Sequence, residues 1–321
     1  MIRDSVRDYV QSRIVPYAAE WDKIGHFPAE QLKEMGELGL FGMVIPEQWG
    51  GSDIGYVAFA LALEEVAAGD GACSTILSVT NSVVCGSLLG FASEFLKTQY
   101  LIPLASGKLL GCFCLTEAQA GSDAAAIKTS AVKDGDSYVL NGSKTFITSG
   151  NNAQVAIVFA VTDPQLGKKG ISAFLVPTDN PGYQVGTVED KMGQHASDTA
   201  QVFLKDCRVT DDHLVGVEGE GYKIALMNLA SGRIGIGAQS VGMARAAYEI
   251  ALAYARERET FGKPIIKHQA VAFRLADMAT QLEAAHLMVM NAARLREADE
   301  PCLKQASMAK LFASEAAEKI T

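Results

Sequence analysis

Leu109–Thr116 reads LLGCFCLT, and it opens a stretch whose pattern differs from everything around it. Four more short apolar runs follow: Ser137–Leu140 (SYVL), Val155–Thr162 (VAIVFAVT), Ile171–Pro177 (ISAFLVP) and Ala200–Leu204 (AQVFL). Asp134-Gly135, Asn141-Gly142 and Pro181-Gly182 supply turn chemistry between them. No segment of helical period and length separates these runs. The pattern predicts antiparallel strands in a barrel or sandwich, not a βαβ sheet.

On either side the period is helical. Ile2, Val6, Tyr9, Val10 and Ile14 form one stripe that lasts to Pro16. Phe27-Pro28 opens a second helix carrying Leu32, Met35 and Leu38, and Tyr56, Ala60, Leu63 and Val66 mark a third. Beyond about residue 220, Ala238, Val241, Arg245, Tyr248 and Leu252 line a long helix ending near Arg256. Val271, Leu275, Met278, Leu282, Ala285, Val289 and Ala292 then alternate at four and three, the face of an antiparallel bundle. A last helix follows Pro301 and reaches Thr321 without a stop signal. The predicted organisation is a helical N-terminal domain (1–110), an antiparallel β-barrel middle domain (111–215) and a C-terminal helical bundle (216–321). The uncapped end predicts that the bundle is incomplete.

Composition narrows the function classes. The 321 residues are 49% hydrophobic and 20% charged, the make-up of a folded protein with a large core. A net charge of −9, with no basic run longer than Lys168-Lys169, argues against nucleic acid as a partner. Six scattered cysteines without a C-x-x-C, and five histidines without a metal spacing, predict no metal site and a reducing compartment. Gly71–Ser93 is uncharged over its whole length, but Ser74, Thr75, Ser78, Thr80, Asn81, Ser82 and Ser87 make it a core helix and not a membrane span. The N-terminus carries Asp4, Asp8, Glu20 and Asp22 and no apolar signal core.

Three segments carry candidate chemistry. Gly235-x-Gly237 follows helical sequence and has Ser240 in place of a third glycine, so it reads as close helix packing and not a dinucleotide loop. Cys112–Asp123 (CFCLTEAQAGSD) ends a strand and continues into a loop with Gly121 and Ser122, which can aim N–H groups and a hydroxyl at an anion or a polar ring. In Asn141–Gly150 (NGSKTFITSG), Phe146 can stack on a ring while Thr148 bonds its edge; an ordinary hairpin is the simpler alternative.

Together with IPEQWGGSD (45–53), KMGQHASDT (191–199), GRIGIGAQSVGMARAA (232–247) and RETFGKPIIKHQAVAFRLADMA (258–279), these segments closely resemble the acyl-CoA dehydrogenase family, in particular its short-chain and bacterial butyryl-CoA type. The resemblance covers nearly the whole chain. It implies a helical domain, a β-barrel domain and a helical bundle, with FAD as cofactor. It implies that Phe113, Cys114, Leu115, Thr116, Gly121 and Ser122 lie along the flavin and pyrophosphate, with Leu115 and Thr116 at the pyrimidine. Phe146, Ile147 and Thr148 match the element behind the ring; the family often has Trp where Phe146 stands. Arg258, Phe261 and Gln269 match residues that reach FAD across a subunit interface. Ser122, Ser231, Gly232 and Arg233 match the acyl-CoA site, although the family's Asp before that arginine is Ala230 here.

The implied reaction desaturates an acyl-CoA thioester to the trans-2-enoyl-CoA and passes electrons to electron transfer flavoprotein. Implied alongside are a homo-oligomer, most simply a tetramer, and a place in the bacterial cytoplasm or, after processing, the mitochondrial matrix. Two other classes fit the same residues: a non-catalytic flavin and acyl-CoA binder, and an oxidase-like flavoenzyme. The family's usual base is a Glu in a Tyr-Glu-Gly-Thr-like stretch, absent from residues 1–321, and the position of a minority branch's base is Gly232. The expectation is a fragment of a catalytic protein, itself inactive, with its base beyond Thr321.

Overall fold

The computed structural model describes residues 2–321. Helices α1 (Ile2–Arg13), α2 (Val15–Ile24), α3 (Ala29–Glu37), α4 (Tyr56–Gly69), α5 (Gly71–Ser78), α6 (Gly86–Phe91), α7 (Glu94–Leu96) and α8 (Ile102–Ala105) precede the strands. The strands are β1 (Gly111–Cys114), β2 (Ser130–Asp134), β3 (Ser137–Thr148), β4 (Val155–Val161), β5 (Ile171–Pro177), β6 (Tyr183–Val188), β7 (Thr199–Thr210) and β8 (Leu214–Val215). Then come α9 (Gly221–Glu257), the hairpin of β9 (Glu259–Thr260) and β10 (Lys263–Pro264), α10 (Gln269–Glu297) and α11 (Leu303–Ile320). Helices flank a strand-rich middle, as the change of period predicts. By contact the backbone gathers into two compact units, one of Met1–Ala19, Gly55–Thr75 and Arg233–Thr321, the other of Glu20–Ile54 and Ile76–Gly232.

The first unit is helical. Val6 and Val10 of α1, Phe59, Leu63 and Val66 of α4, and Ala285, Val289 and Ala292 of α10 are buried. Ala306, Ala309, Ala313 and Ala316 give α11 a buried edge at spacings of three and four, and such short side chains allow close approach to α10. A Cβ on Gly237 would stand 3.0 Å from Val289, which is the close packing expected of Gly235-x-Gly237. Arg7 and Arg245 both donate to the buried carboxylate of Glu65, at 2.7–2.9 Å.

The second unit is built around one eight-stranded sheet in the order β6-β7-β3-β2-β4-β5-β8, with β1 paired to β4. Its core joins Val155, Ile157, Phe159 and Leu175 of the sheet to Val84, Leu88, Leu96 and Leu104 of the preceding helices. The apolar stretch Gly71–Phe91 is mostly buried, and it contains a π-helical turn over Val79–Cys85.

Three details differ from the sequence reading. The sheet is not wholly antiparallel: β1 runs parallel to β4, because the β2–β3 hairpin intervenes before the chain returns in the same direction. Asn141-Gly142 is no turn but an irregularity inside β3. Asn141 exchanges hydrogen bonds with Asp206, and Gly142 (φ 158°) lies against Thr129, whose Oγ1 would be 2.5 Å from any Cβ there. Finally, α9 begins at Gly221, well before Ala238, and carries Gly232, Gly235 and Gly237 within it. Tertiary packing there outweighs the helix cost of glycine.

Candidate functional site

At the end of β1, alternation sets which side chains face the core. Cys112 and Cys114 point the same way, both buried, with their sulfurs 3.8 Å apart. The Cys112 thiol beside it, together with burial, pushes the Cys114 thiol well up, and this side chain fills the core. Phe113 is half-buried, its ring 4.8 Å from that of Phe159. Leu115 is buried and Thr116 half-buried; the Thr116 carbonyl accepts from Thr145 N at 2.9 Å and so ties the loop to β3. Gly121 and Ser122 are exposed at the loop's far end.

An ion pair shapes that loop. Lys144 on β3 is fully buried, and its Nζ donates to Glu117 Oε1 (2.8 Å), Phe159 O (2.7 Å) and Leu115 O (3.2 Å). Glu117 also accepts from Thr129 N and Oγ1, Lys128 N and Gln119 Nε2. Burial pushes the Glu117 carboxyl up, but Lys144 and these donors outweigh it and hold it at about 2. Burial lowers the Lys144 ammonium, with Glu117 opposing. Lys144 and Glu117 form a buried ion pair, and every strong donor and acceptor in it is used. Both residues lie inside the two quoted segments, yet their roles were missed. The available signal was one opposite charge in each of two otherwise apolar, Gly- and Thr-rich stretches.

Two residues on, β3 slips register against β7 between Lys144 and Ile147. Phe146 sits at this bulge with φ 58° and is 65% exposed, while Ile147 is buried at 2%. A β-carbon is strained at that φ, so the surrounding pairing holds Phe146 where its ring must face outward. Thr148 is half-buried opposite Thr199. The turn that follows is pinned by Asp198, which accepts from Asn151 N (2.8 Å) and Asn152 Nδ2 (2.9 Å).

The other candidates lie elsewhere. Ser231 is buried and Gly232 half-buried within α9; a Cβ at 232 would meet Val83 at 3.4 Å and Ser82 Oγ at 3.7 Å, ordinary contacts. Arg233, half-buried, begins the helical unit's share of α9. In that unit Arg258 is exposed just before β9, Gln269 is exposed at the start of α10, and Phe261 is 94% exposed. Phe261 and Gly262 have φ of 53° and 74°, the two left-handed residues of a tight hairpin turn. The structure therefore brings Phe113–Thr116 together with Phe146–Thr148. Arg258, Phe261 and Gln269 form a separate group around one hairpin.

Whether the first group suits a flavin can be asked of its free valences. The hydroxyls of Thr116, Ser122 and Thr148 and the Thr116 N–H donate to no described residue. They border an outward aromatic face, with the neighbouring charge of Glu117 already neutralised. Such a set fits a planar ring with a polar edge, and the exposed Gly121-Ser122 turn fits its phosphate tail.

Comparison with known proteins agrees. The acyl-CoA dehydrogenase N-terminal, middle and C-terminal domains match residues 1–108, 112–207 and 219–321. Short-chain specific acyl-CoA dehydrogenase of Bos taurus, mitochondrial, is 47% identical over all of this chain and 78% of its own length. The structure of butyryl-CoA dehydrogenase from Megasphaera elsdenii superposes with a TM-score of 0.97 at 39% identity, over 99% of this chain and 84% of that one. A glutaryl-CoA dehydrogenase from Mycobacterium smegmatis, solved in complex with FADH2, gives 0.94 at 35% identity over 99% and 81%. The chain belongs to the acyl-CoA dehydrogenase family of flavoproteins.

Proposed function

We propose that this chain binds FAD and a short straight-chain acyl-CoA for α,β-dehydrogenation to the trans-2-enoyl-CoA, with electron transfer flavoprotein as the acceptor. The observation that carries the reading is the set of unpartnered donors at Thr116 and Thr148 beside the outward ring of Phe146. Bound FAD supplies the hydride acceptor that no side chain provides. The chain's own residues hold and orient it: Phe113–Thr116 along the ring, Phe146–Thr148 behind it, Gly121 and Ser122 at the pyrophosphate. Arg258, Phe261 and Gln269 serve the FAD of a neighbouring copy in a homotetramer; a guanidinium at 258 suits a pyrophosphate because it donates two parallel hydrogen bonds. Ser122, Ser231, Gly232 and Arg233 address the thioester and its CoA. We assign the protein to the bacterial cytoplasm or the mitochondrial matrix, and the domains to 1–110, 111–215 and 216–321.

No carboxylate among residues 1–321 is assigned to α-proton removal, and position 232 carries only hydrogen. The test is FAD titration followed by anaerobic mixing with acyl-CoAs of four to sixteen carbons. Saturable FAD binding, tightest acyl-CoA binding at four carbons and slow flavin bleaching are expected. Failure to take up FAD, or an optimum at sixteen carbons, overturns the corresponding part of the reading.

A further inference from the structure

Burying a lysine completely is costly, and an apolar side chain would fill the same volume as well or better. The place where Lys144 is buried is therefore informative. Its three ammonium hydrogens go to Glu117 Oε1, Phe159 O and Leu115 O. The Leu115 carbonyl and the Thr116 N–H belong to one peptide group. Drawing electron density toward that carbonyl oxygen makes the N–H on its other side a stronger donor, the usual cooperativity of linked hydrogen bonds. That N–H is also one of the groups that donates to no described residue.

We propose that Lys144, clamped by Glu117, is a positioning residue for the cofactor: it polarises the Leu115–Thr116 peptide so that Thr116 N–H is a strengthened donor to the pyrimidine edge of FAD. The inference rests on the assignment of this loop to FAD made above. Glu117 supplies the clamp, because its four other donors come from Gln119, Lys128 and Thr129 and fix both oxygens. The same strand that carries Lys144 presents Phe146 two residues later, so one backbone segment sets both the ring face and the polarised edge. The reduced ring carries more electron density at that edge than the oxidised ring. A stronger donor there favours the reduced form and raises the midpoint potential.

The experiment is a dye-linked anaerobic titration of FAD bound to the unaltered chain, to Lys144→Met and to Glu117→Gln/Lys144→Met. The double variant removes both charges and leaves no buried ion unpaired, so it carries the test if the single variant does not fold. The expected result is a preference for reduced over oxidised FAD that is at least tenfold weaker, a fall of about 30 mV for this two-electron couple. A variant that binds FAD at an unchanged potential overturns the proposal, even if its FAD affinity drops, since weaker affinity alone marks a merely structural role. An unaltered chain that binds no FAD overturns the assignment of the loop itself, which keeps the two failures apart.

Discussion

His286 Nδ1 on α10 lies 2.9 Å from Glu64 Oε1 on α4, inside a small cavity of about 160 Å³ that Arg3, Arg7, Glu65, Arg245 and Glu283 also line. The hydrogen bond to Glu64 raises the His286 imidazole above its ordinary 6.5, with burial opposing. Burial raises Glu64 above its ordinary 4.5, with His286 and Arg245 opposing. Both groups hold protons more tightly in the folded chain than in the unfolded one.

The sign of the pH dependence follows. The stability His286 contributes is complete below about pH 6.5 and is lost as pH rises through its raised value; Glu64 acts in the same direction from about pH 4.5 upward. The melting temperature should fall between pH 6 and pH 9, and His286→Gln should flatten that fall by about 2 °C. Thermal melts at four pH values check it, and parallel curves for the two proteins would refute it.

Phe146 offers a separation of binding from stability. Glycine accepts φ 58° without strain, so Phe146→Gly removes the stacking face while relieving the backbone. Stability should hold within about 1 kcal/mol, and the FAD dissociation constant should rise about fivefold or more, the equivalent of one lost aromatic pair. Flavin fluorescence titration beside a denaturant melt reads both. Unchanged FAD affinity would remove Phe146 from the site.

Much of this was legible in the sequence, and the reasons for the rest are physical. The switch from helical period to short β-branched and aromatic runs near residue 110 is local, and β4 and β5 fall where those runs place them. The parallel pairing of β1 with β4 is a long-range choice that no local pattern encodes. Asn141-Gly142 carries turn chemistry, but Asp206 and Thr129, distant in sequence, draw it into a strand. Helix α9 runs through Gly237 and Gly242 because Val289 and the Glu64 carbonyl occupy the space a Cβ would need. At the site, motif resemblance picked out Phe113–Thr116 and Phe146–Thr148. It missed Glu117 and Lys144, because a buried ion pair becomes visible only when both partners are placed.

Gly242 on α9 tests how tightly the helical unit is packed. A Cβ there would stand 2.2 Å from the Glu64 carbonyl oxygen and 2.8 Å from Ala67, so the backbones of α9 and α4 must move apart to admit one methyl group. Gly242→Ala should destabilise by about 1–3 kcal/mol, the usual cost of overpacking. It should also disturb the His286–Glu64 pair on the adjoining turn. Chemical denaturation gives the first number and the pH dependence of melting the second. A neutral substitution would show that the two helices have slack.

Gly232 is a place where a general base can be added. A Cβ there would meet Val83 and Ser82 Oγ at ordinary contact distance, so a β-carbon is admitted without displacing backbone. A carboxylate there would occupy the position that a minority branch of the family uses for proton removal. A positioned general base contributes about 10²- to 10⁴-fold, so even a poorly aligned one added at 232 should be measurable. Gly232→Glu is therefore expected to bleach FAD with butyryl-CoA at least tenfold faster than the unaltered chain under anaerobic conditions. The same rate with Gly232→Gln would trace the gain to packing and not to proton transfer. Rapid bleaching by the unaltered chain would mean that one of its own carboxylates already reaches the α carbon, and the gain from a carboxylate at 232 would then vanish.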